Sequence, residues 1–259
     1  MPIAQSGAVP ADLAQKPPIH VSAPCVVLPR VGDLSPEWGV FRGTLTLSLL
    51  GIDFVGIFIQ FTLLVVSLSV HEAAHAWSAD KLGDPTARTL GRVTLNPAAH
   101  VDPIGTILFP LLAMASNLPL IGWAKPVPVG IQHLRGNWRQ KFMFIAAAGP
   151  ASNVLMALAG AAVLWIVSGG PPLQVSQGLL GQILFSFVQL NLLLAVFNMV
   201  PVPPLDGGNV LAGLVSGPIA EALDRMRPYG ILILYALMFL GVFSRVIYPV
   251  VLALEDLLL

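Results

Sequence analysis

From Phe54 to Val70 the chain carries no charged residue. A helix rises about 1.5 Å per residue, so this run and the residues after it can cross the ~30 Å hydrocarbon core of a bilayer. It ends in His71-Glu-Ala-Ala-His75. Three ionisable side chains within five positions are costly at membrane depth and need a reason to be there. Residues four apart share a helix face, so both imidazoles can address one metal ion with Glu72 beside them. Two neutral imidazoles and a carboxylate suit zinc, with a further position open for water. On its own the five-residue pattern is weak, because a lone buried histidine is more often a satisfied core residue than a ligand. The apolar setting is what favours the metal.

The rest of the composition agrees with a membrane setting. Of 259 residues 56% are hydrophobic and only 10% charged, with a mean hydropathy of +0.81, against roughly 25% charged residues in an ordinary globular chain. The expected fold is an all-α polytopic membrane protein of about four to six transmembrane helices, with one re-entrant or short membrane segment and a possible small β element. Zero net charge leaves no electrostatic footprint for nucleic acid. The lone Cys25 cannot close an internal disulfide and offers no ligand near the motif.

Residues 1–43 differ, with Pro2, Pro10, Pro17, Pro18, Pro24, Pro29 and Pro36 among many alanines. They are expected to form an irregular tail, with no cleavable signal peptide, ahead of an integral-membrane domain over 44–259. Thr44–Leu50 alternates polar and apolar residues, as a short strand or an interfacial segment would. Spans are expected at 53–79, 141–168, 179–200 and 229–252. A further apolar stretch, Pro103–Gly122, is interrupted by Pro110, Asn117 and Pro119. Basic residues flank it on both sides: Lys81, Arg88 and Arg92 before, Lys125, Arg135, Arg139 and Lys141 after. The uncharged connection 169–178 contrasts with these and with Arg225 and Arg227. The positive-inside rule then places both flanks of 103–122 in the cytoplasm, so that this segment re-enters rather than crosses and the tail lies outside.

Two histidines leave zinc short of a ligand. Asp53 lies about 27 Å up the same helix and cannot reach; Glu255 and Asp256 read as a solvated C-terminal end. Asp206 follows the 179–200 helix in Asn198-Met-Val-Pro-Val-Pro-Pro-Leu-Asp-Gly-Gly208, where prolines break the helix and glycines permit close approach. Alone, this stretch would read as a proline-rich turn.

Together, His71-Glu-Ala-Ala-His75, Gly149-Pro-Ala-Ser-Asn153 and the 198–208 segment closely resemble the site-2 protease family of intramembrane zinc metalloproteases, in its compact branch without a PDZ domain. The resemblance covers about residues 50–215 and extends to Gly91-Arg-Val-Thr-Leu-Asn-Pro97, His100-Val-Asp-Pro103 and Gly122-Trp-Ala-Lys-Pro-Val-Pro-Val129. One departure is Gly130, where similar proteins often carry Asn. The resemblance implies one zinc per chain held by His71, His75 and Asp206, with Glu72 as general base. It further implies a multi-pass protein of a prokaryotic cell membrane that cuts transmembrane substrates in regulated intramembrane proteolysis. Asn153 has two readings, a catalytic one (binding substrate backbone or the oxyanion) and an interhelical hydrogen bond; the resemblance favours the first. Asn198 shares both. His100 reads as a loop or capping residue rather than an extra ligand, and Trp123 and Trp138 as interface anchors. A substrate helix must unwind before it is cut, and segment 103–122 with the loop 125–129 could offer it a strand edge. A metal transporter built on the same ligands and a catalytically dead scaffold are the competing readings; neither needs Glu72 between the histidines.

Overall fold

The computed structural model describes residues 19–20, 26–28, 54–116, 120–169 and 178–259. Among the described residues three helices are long and apolar enough to span a bilayer: α1 (Phe54–Lys81), α4 (Trp138–Ser168) and α5 (Leu179–Asn198). Between α1 and α4 lie the single turn α2 (Thr86–Thr89) and the short α3 (Phe109–Ser116). After α5 come α6 (Asp206–Leu214), α7 (Pro218–Met226), α8 (Gly230–Phe239) and α9 (Tyr248–Leu258). Helix α4 is the centrepiece and packs on α1, α5 and α6.

The long helices are arranged for an apolar solvent. Phe58, Leu155 and Ile166 point outward, the last 80% exposed, whereas Ser67, Asn153, Gln189 and Asn191 are buried between helices. Hydrocarbon costs an outward Ile nothing but penalises every unpaired polar group, so polar side chains collect where they can pair. Small residues let the helices approach: Ala157, Gly160 and Ala161 of α4 meet Phe187 and Val188 of α5. Close backbone approach of this kind is what holds membrane helices together, since lipid gives them no hydrophobic reason to associate.

Two expectations need correcting here. Residues 229–252 do not form one span: α8 ends at Phe239, Gly241 adopts φ +72, and a π-helical turn (Phe243–Ile247) leads into α9. A left-handed glycine ends a helix because it redirects the chain and lacks the Cβ that would clash. Nor is Glu255 solvated. It is buried against α5 and accepts a hydrogen bond from Gln189 Nε2 at 3.1 Å, because α9 lays one face on α5.

Segment 103–122 begins at Asp102, whose carboxylate caps the first turn by accepting from the N–H groups of Ile104 and Gly105, with Pro103 next. A π-helical turn (Pro103–Leu108) leads into α3, and the chain comes back as β3 (Leu120–Gly122). The ends lie side by side. Trp123 N–H donates to Gly105 O at 3.0 Å, Thr106 Oγ1 to Trp123 O at 2.7 Å, and Lys125 N–H to His100 O at 2.8 Å. Both ends of the segment therefore meet at one place.

The small β element comes partly from the tail. β1 (Ile19–His20) pairs antiparallel with β4 (Pro128–Val129), and β2 (Val26–Leu28) pairs antiparallel with β3. Ile19 also packs on the cluster of Ala79, Val129, Ile131, Leu134 and Phe142. These two pieces of 1–43 are extended and pair with residues 120–129, beside the flank expected in the cytoplasm and not on the far side where the tail was expected. The rest of the tail, Cys25, the 44–50 segment and Asp53 lie outside the described residues.

Candidate metal centre

His71 and His75 sit one turn apart in the last third of α1, both fully buried. Asp206 reaches them from 135 positions along the chain. It opens α6 directly after the Pro203-Pro204-Leu205 turn, and Gly207 and Gly208 lie against the backbone of residues 199–203. Asp206 Oδ2 stands 3.1 Å from His71 Nε2 and 3.3 Å from His75 Nε2, and the two Nε2 atoms are 3.0 Å apart. Among the described residues these three form the group of side chains able to hold a metal ion.

The far ring nitrogens show what the near ones present. His75 Nδ1 lies 2.7 Å from the Ile145 carbonyl oxygen, and His71 Nδ1 lies 2.5 Å from Asn153 Oδ1. Both partners are acceptors, so each Nδ1 carries the proton and donates. A neutral imidazole so arranged turns a bare lone pair at Nε2 towards its neighbours. Two lone pairs and a carboxylate oxygen at 3.0–3.3 Å repel one another unless a cation lies among them. Tetrahedral zinc with bonds of about 2.0–2.1 Å spaces its ligand atoms roughly 3.3–3.4 Å apart. The donor set and its spacing fit zinc.

Helix α4 is shaped to admit this group. A Cβ on Gly149 would run into the imidazoles of both His71 and His75, so only glycine allows α4 past them. Pro150 removes the next N–H from the helix ladder in the same turn that offers the Ile145 carbonyl to His75. The Gly-Pro pair and Asn153 thus all bear on the two histidines.

Glu72 is fully buried, and the backbone N–H of Val127 bears on its carboxylate. Arg92 stands near it. The guanidinium donates to the carbonyls of Ala99, Lys125 and Pro126, fastening the loop that leads through Val127 to β4. Burial pulls the Arg92 pKa down from its usual value, and the charge of Glu72 acts in the opposite direction.

The remaining expected residues separate clearly. Asn153 is buried, with its oxygen facing His71 and its nitrogen donating to Asn191 Oδ1 at 2.9 Å. Asn198 is buried at the end of α5 and donates to the Leu194 carbonyl at 2.9 Å. His100 stays outside the metal group: it pairs with the Thr94 carbonyl at 2.8 Å, and burial lowers its pKa. Trp123 packs over Gly105 and meets Phe109 at a centroid distance of 5.4 Å. At the departure from the resembled pattern, Gly130 donates its N–H to Asp84 Oδ2, and an added Cβ would come within 2.9 Å of Thr86 Oγ1. Sequence reasoning took Arg92 only as a charge flanking a membrane segment and passed over Asn191. The signal for both was visible: an arginine inside a quoted motif, and an amide inside an apolar span.

Helices with apolar exteriors around a buried pair of histidines and a carboxylate define a metal-binding integral membrane protein. Comparison with known proteins adds the family. The model of peptidase family M50 matches residues 173–241. "Putative zinc metalloprotease YwhC" of Bacillus subtilis is 35% identical over 195 residues, covering 74% of this chain and 85% of that protein. "Putative zinc metalloprotease Rip2" of Mycolicibacterium smegmatis is 30% identical over 207 residues, 77% of this chain and 74% of its own length. Its namesake in Mycobacterium tuberculosis H37Rv is 27% identical over 184 residues, covering 67% and 63%. No solved structure matches the chain. The chain belongs to peptidase family M50, the site-2 protease family; it is a zinc metalloprotease with Zn2+ as its cofactor.

Proposed function

We propose that the chain cuts peptide bonds in or near transmembrane segments of other membrane proteins, with His71, His75 and Asp206 holding one zinc ion and Glu72 acting as general base. The observation that carries this reading is the convergence of two Nε2 lone pairs and one carboxylate oxygen at 3.0–3.3 Å. Zinc, when bound, supplies Lewis acidity that polarises the scissile carbonyl and acidifies water. Glu72 takes the proton from the attacking water and passes it to the leaving amine. Asn153 acts on this chemistry through His71. The bacterial relatives support a place in a prokaryotic cell membrane, and residues 44–259 form the protease domain.

The substrate docks as a strand. β3 and β4 flank the loop fastened by Arg92, next to Glu72, and an unwound substrate can satisfy its freed backbone groups there. One edge of each is paired with the chain's own tail, β1 on β4 and β2 on β3, and a substrate strand takes the tail's place there.

Two measurements test the reading. Detergent-purified protein should carry about one zinc per chain, sharply reduced in Asp206→Ala; equal zinc in both would displace Asp206 as a ligand. Cleavage of a membrane-protein substrate should disappear in Glu72→Gln while zinc remains. Persistent cleavage would remove Glu72 from the mechanism, and metal flux without cleavage in the wild type would favour the transporter.

A further inference from the structure

The tautomer of His75 is set directly, because the Ile145 carbonyl can only accept. His71 faces a carboxamide instead, and a carboxamide offers a donor at one end and an acceptor at the other. Were Asn153 turned around, its amino group would face His71 Nδ1, and the ring proton would move to Nε2, where the metal belongs. Some feature of the surroundings must therefore orient Asn153.

That feature is Asn191, one helix further away. Its Nδ2 lies 2.8 Å from the Phe187 carbonyl oxygen and 3.0 Å from Ser67 Oγ. The Phe187 carbonyl can only accept, so the amino end of Asn191 must point to it. Its oxygen is then left facing Asn153 Nδ2 at 2.9 Å. Asn153 must in turn present its own amino group to Asn191 and its oxygen to His71 Nδ1 at 2.5 Å. Each link admits one direction only. The chain of bonds starts at a backbone carbonyl of α5, crosses α4 and ends on the histidine of α1. Asn153 and Asn191 are both fully buried, so water does not compete for their ends.

We propose that Asn191 is a positioning residue of the metal centre: it orients the Asn153 carboxamide and thereby holds His71 as the Nδ1–H tautomer, with its Nε2 lone pair turned to His75 and Asp206. The proposal rests on His71 being a zinc ligand. Groups that orient metal-bound histidines in this way are typically worth a factor of about 10–100 in metal affinity. An asparagine serving only to glue helices would stabilise the bundle without regard to which end of Asn153 faces His71.

The test uses the full chain in detergent, labelled with 15N-histidine and stripped of metal. The five histidines are separated by shift, and His71 is assigned from a His71→Gln sample. His71 is expected to carry a proton on Nδ1 in the wild type, and a bare Nδ1 there overturns the proposal without any appeal to a mutant. Zinc affinity is then measured by chelator competition. Asn191→Leu removes the acceptor and is expected to bind zinc about 10–100-fold more weakly. Asn191→Asp keeps an oxygen for Asn153 in either protonation state and is expected to stay within about threefold of the wild type. Equal weakening in both variants, or none in Asn191→Leu, overturns the positioning role. If Asn191→Leu fails to fold, the wild-type spectrum still decides. A wild type that binds no zinc sinks the metal site itself, and the tautomer remains a separate result.

Discussion

Helix α5 faces two neighbourhoods built from different materials. Towards α1 and α4 it offers Asn191, linked through Asn153 to His71 and bonded to Ser67. Towards α9 and the turn before it, α5 offers Leu192, Leu193 and Phe197, in one cluster with Phe243, Ile247 and Val251. The polar side spends buried amides on direction, since each hydrogen bond there dictates which atom faces the next. The apolar side spends volume, and apart from the Gln189–Glu255 hydrogen bond its contacts carry no direction beyond shape. The first region should therefore fail in chemistry when changed, and the second in stability.

The largest effect expected is on the polar side. Glu72→Gln should lower the rate of substrate cleavage by about 10²–10⁴-fold, the usual worth of a general base, with zinc content and thermal unfolding unchanged. Gly149→Ala should come next. Its added methyl falls on both imidazoles, so zinc content and cleavage should collapse together, and a variant that keeps full zinc would show that α4 can yield there. On the apolar side, Phe243→Ala should cost about 3–5 kcal/mol of stability, the range for a large aromatic truncated in a packed core. Its zinc content per folded chain should not change. Chelation offers an intermediate probe: removing zinc held at about 100 times its Kd should cost about 2.7 kcal/mol. That loss should appear in the wild type and in Phe243→Ala but not in Asp206→Ala, as melting temperatures with and without chelator would report. The smallest effect is expected from Trp165→Phe, which removes the indole donor to the Leu258 carbonyl. About 1 kcal/mol is the scale of one such bond, and zinc and cleavage should both stay at wild-type levels.

The strand edges offer a second contrast, because β3 and β4 are already occupied by β1 and β2. If substrate replaces the tail, Ile19→Pro should weaken the β1 pairing and lower the KM for a membrane-protein substrate. Val129→Pro, on the edge itself, should instead reduce cleavage. The same response from both variants would mean that tail and substrate do not compete.

Much of this protein could be read along the chain. The charge-free run before His71 marked α1, and the i, i+4 spacing put two imidazoles on one face, because helix geometry alone fixes that relation. Compositional contrast located α4 and α5 to within a few residues. The break at Gly241 was missed because an apolar run reads as one span whether or not a left-handed residue interrupts it. Glu255 was misjudged as solvated because nothing nearby in the chain says that α9 will lie on α5.

Local sequence was sufficient wherever the determining force is local: hydrophobic length, helical spacing, the proline that stops a helix. The resemblance pointed to Asp206, but only tertiary structure brings it to the histidines, decides which carbonyl sets the tautomer of His75, and lets the Phe187 carbonyl set that of His71 through two amides. Those relations depend on how α1, α4, α5 and α6 pack, and hydrogen-bond direction is defined only when donor and acceptor have been brought within about 3 Å.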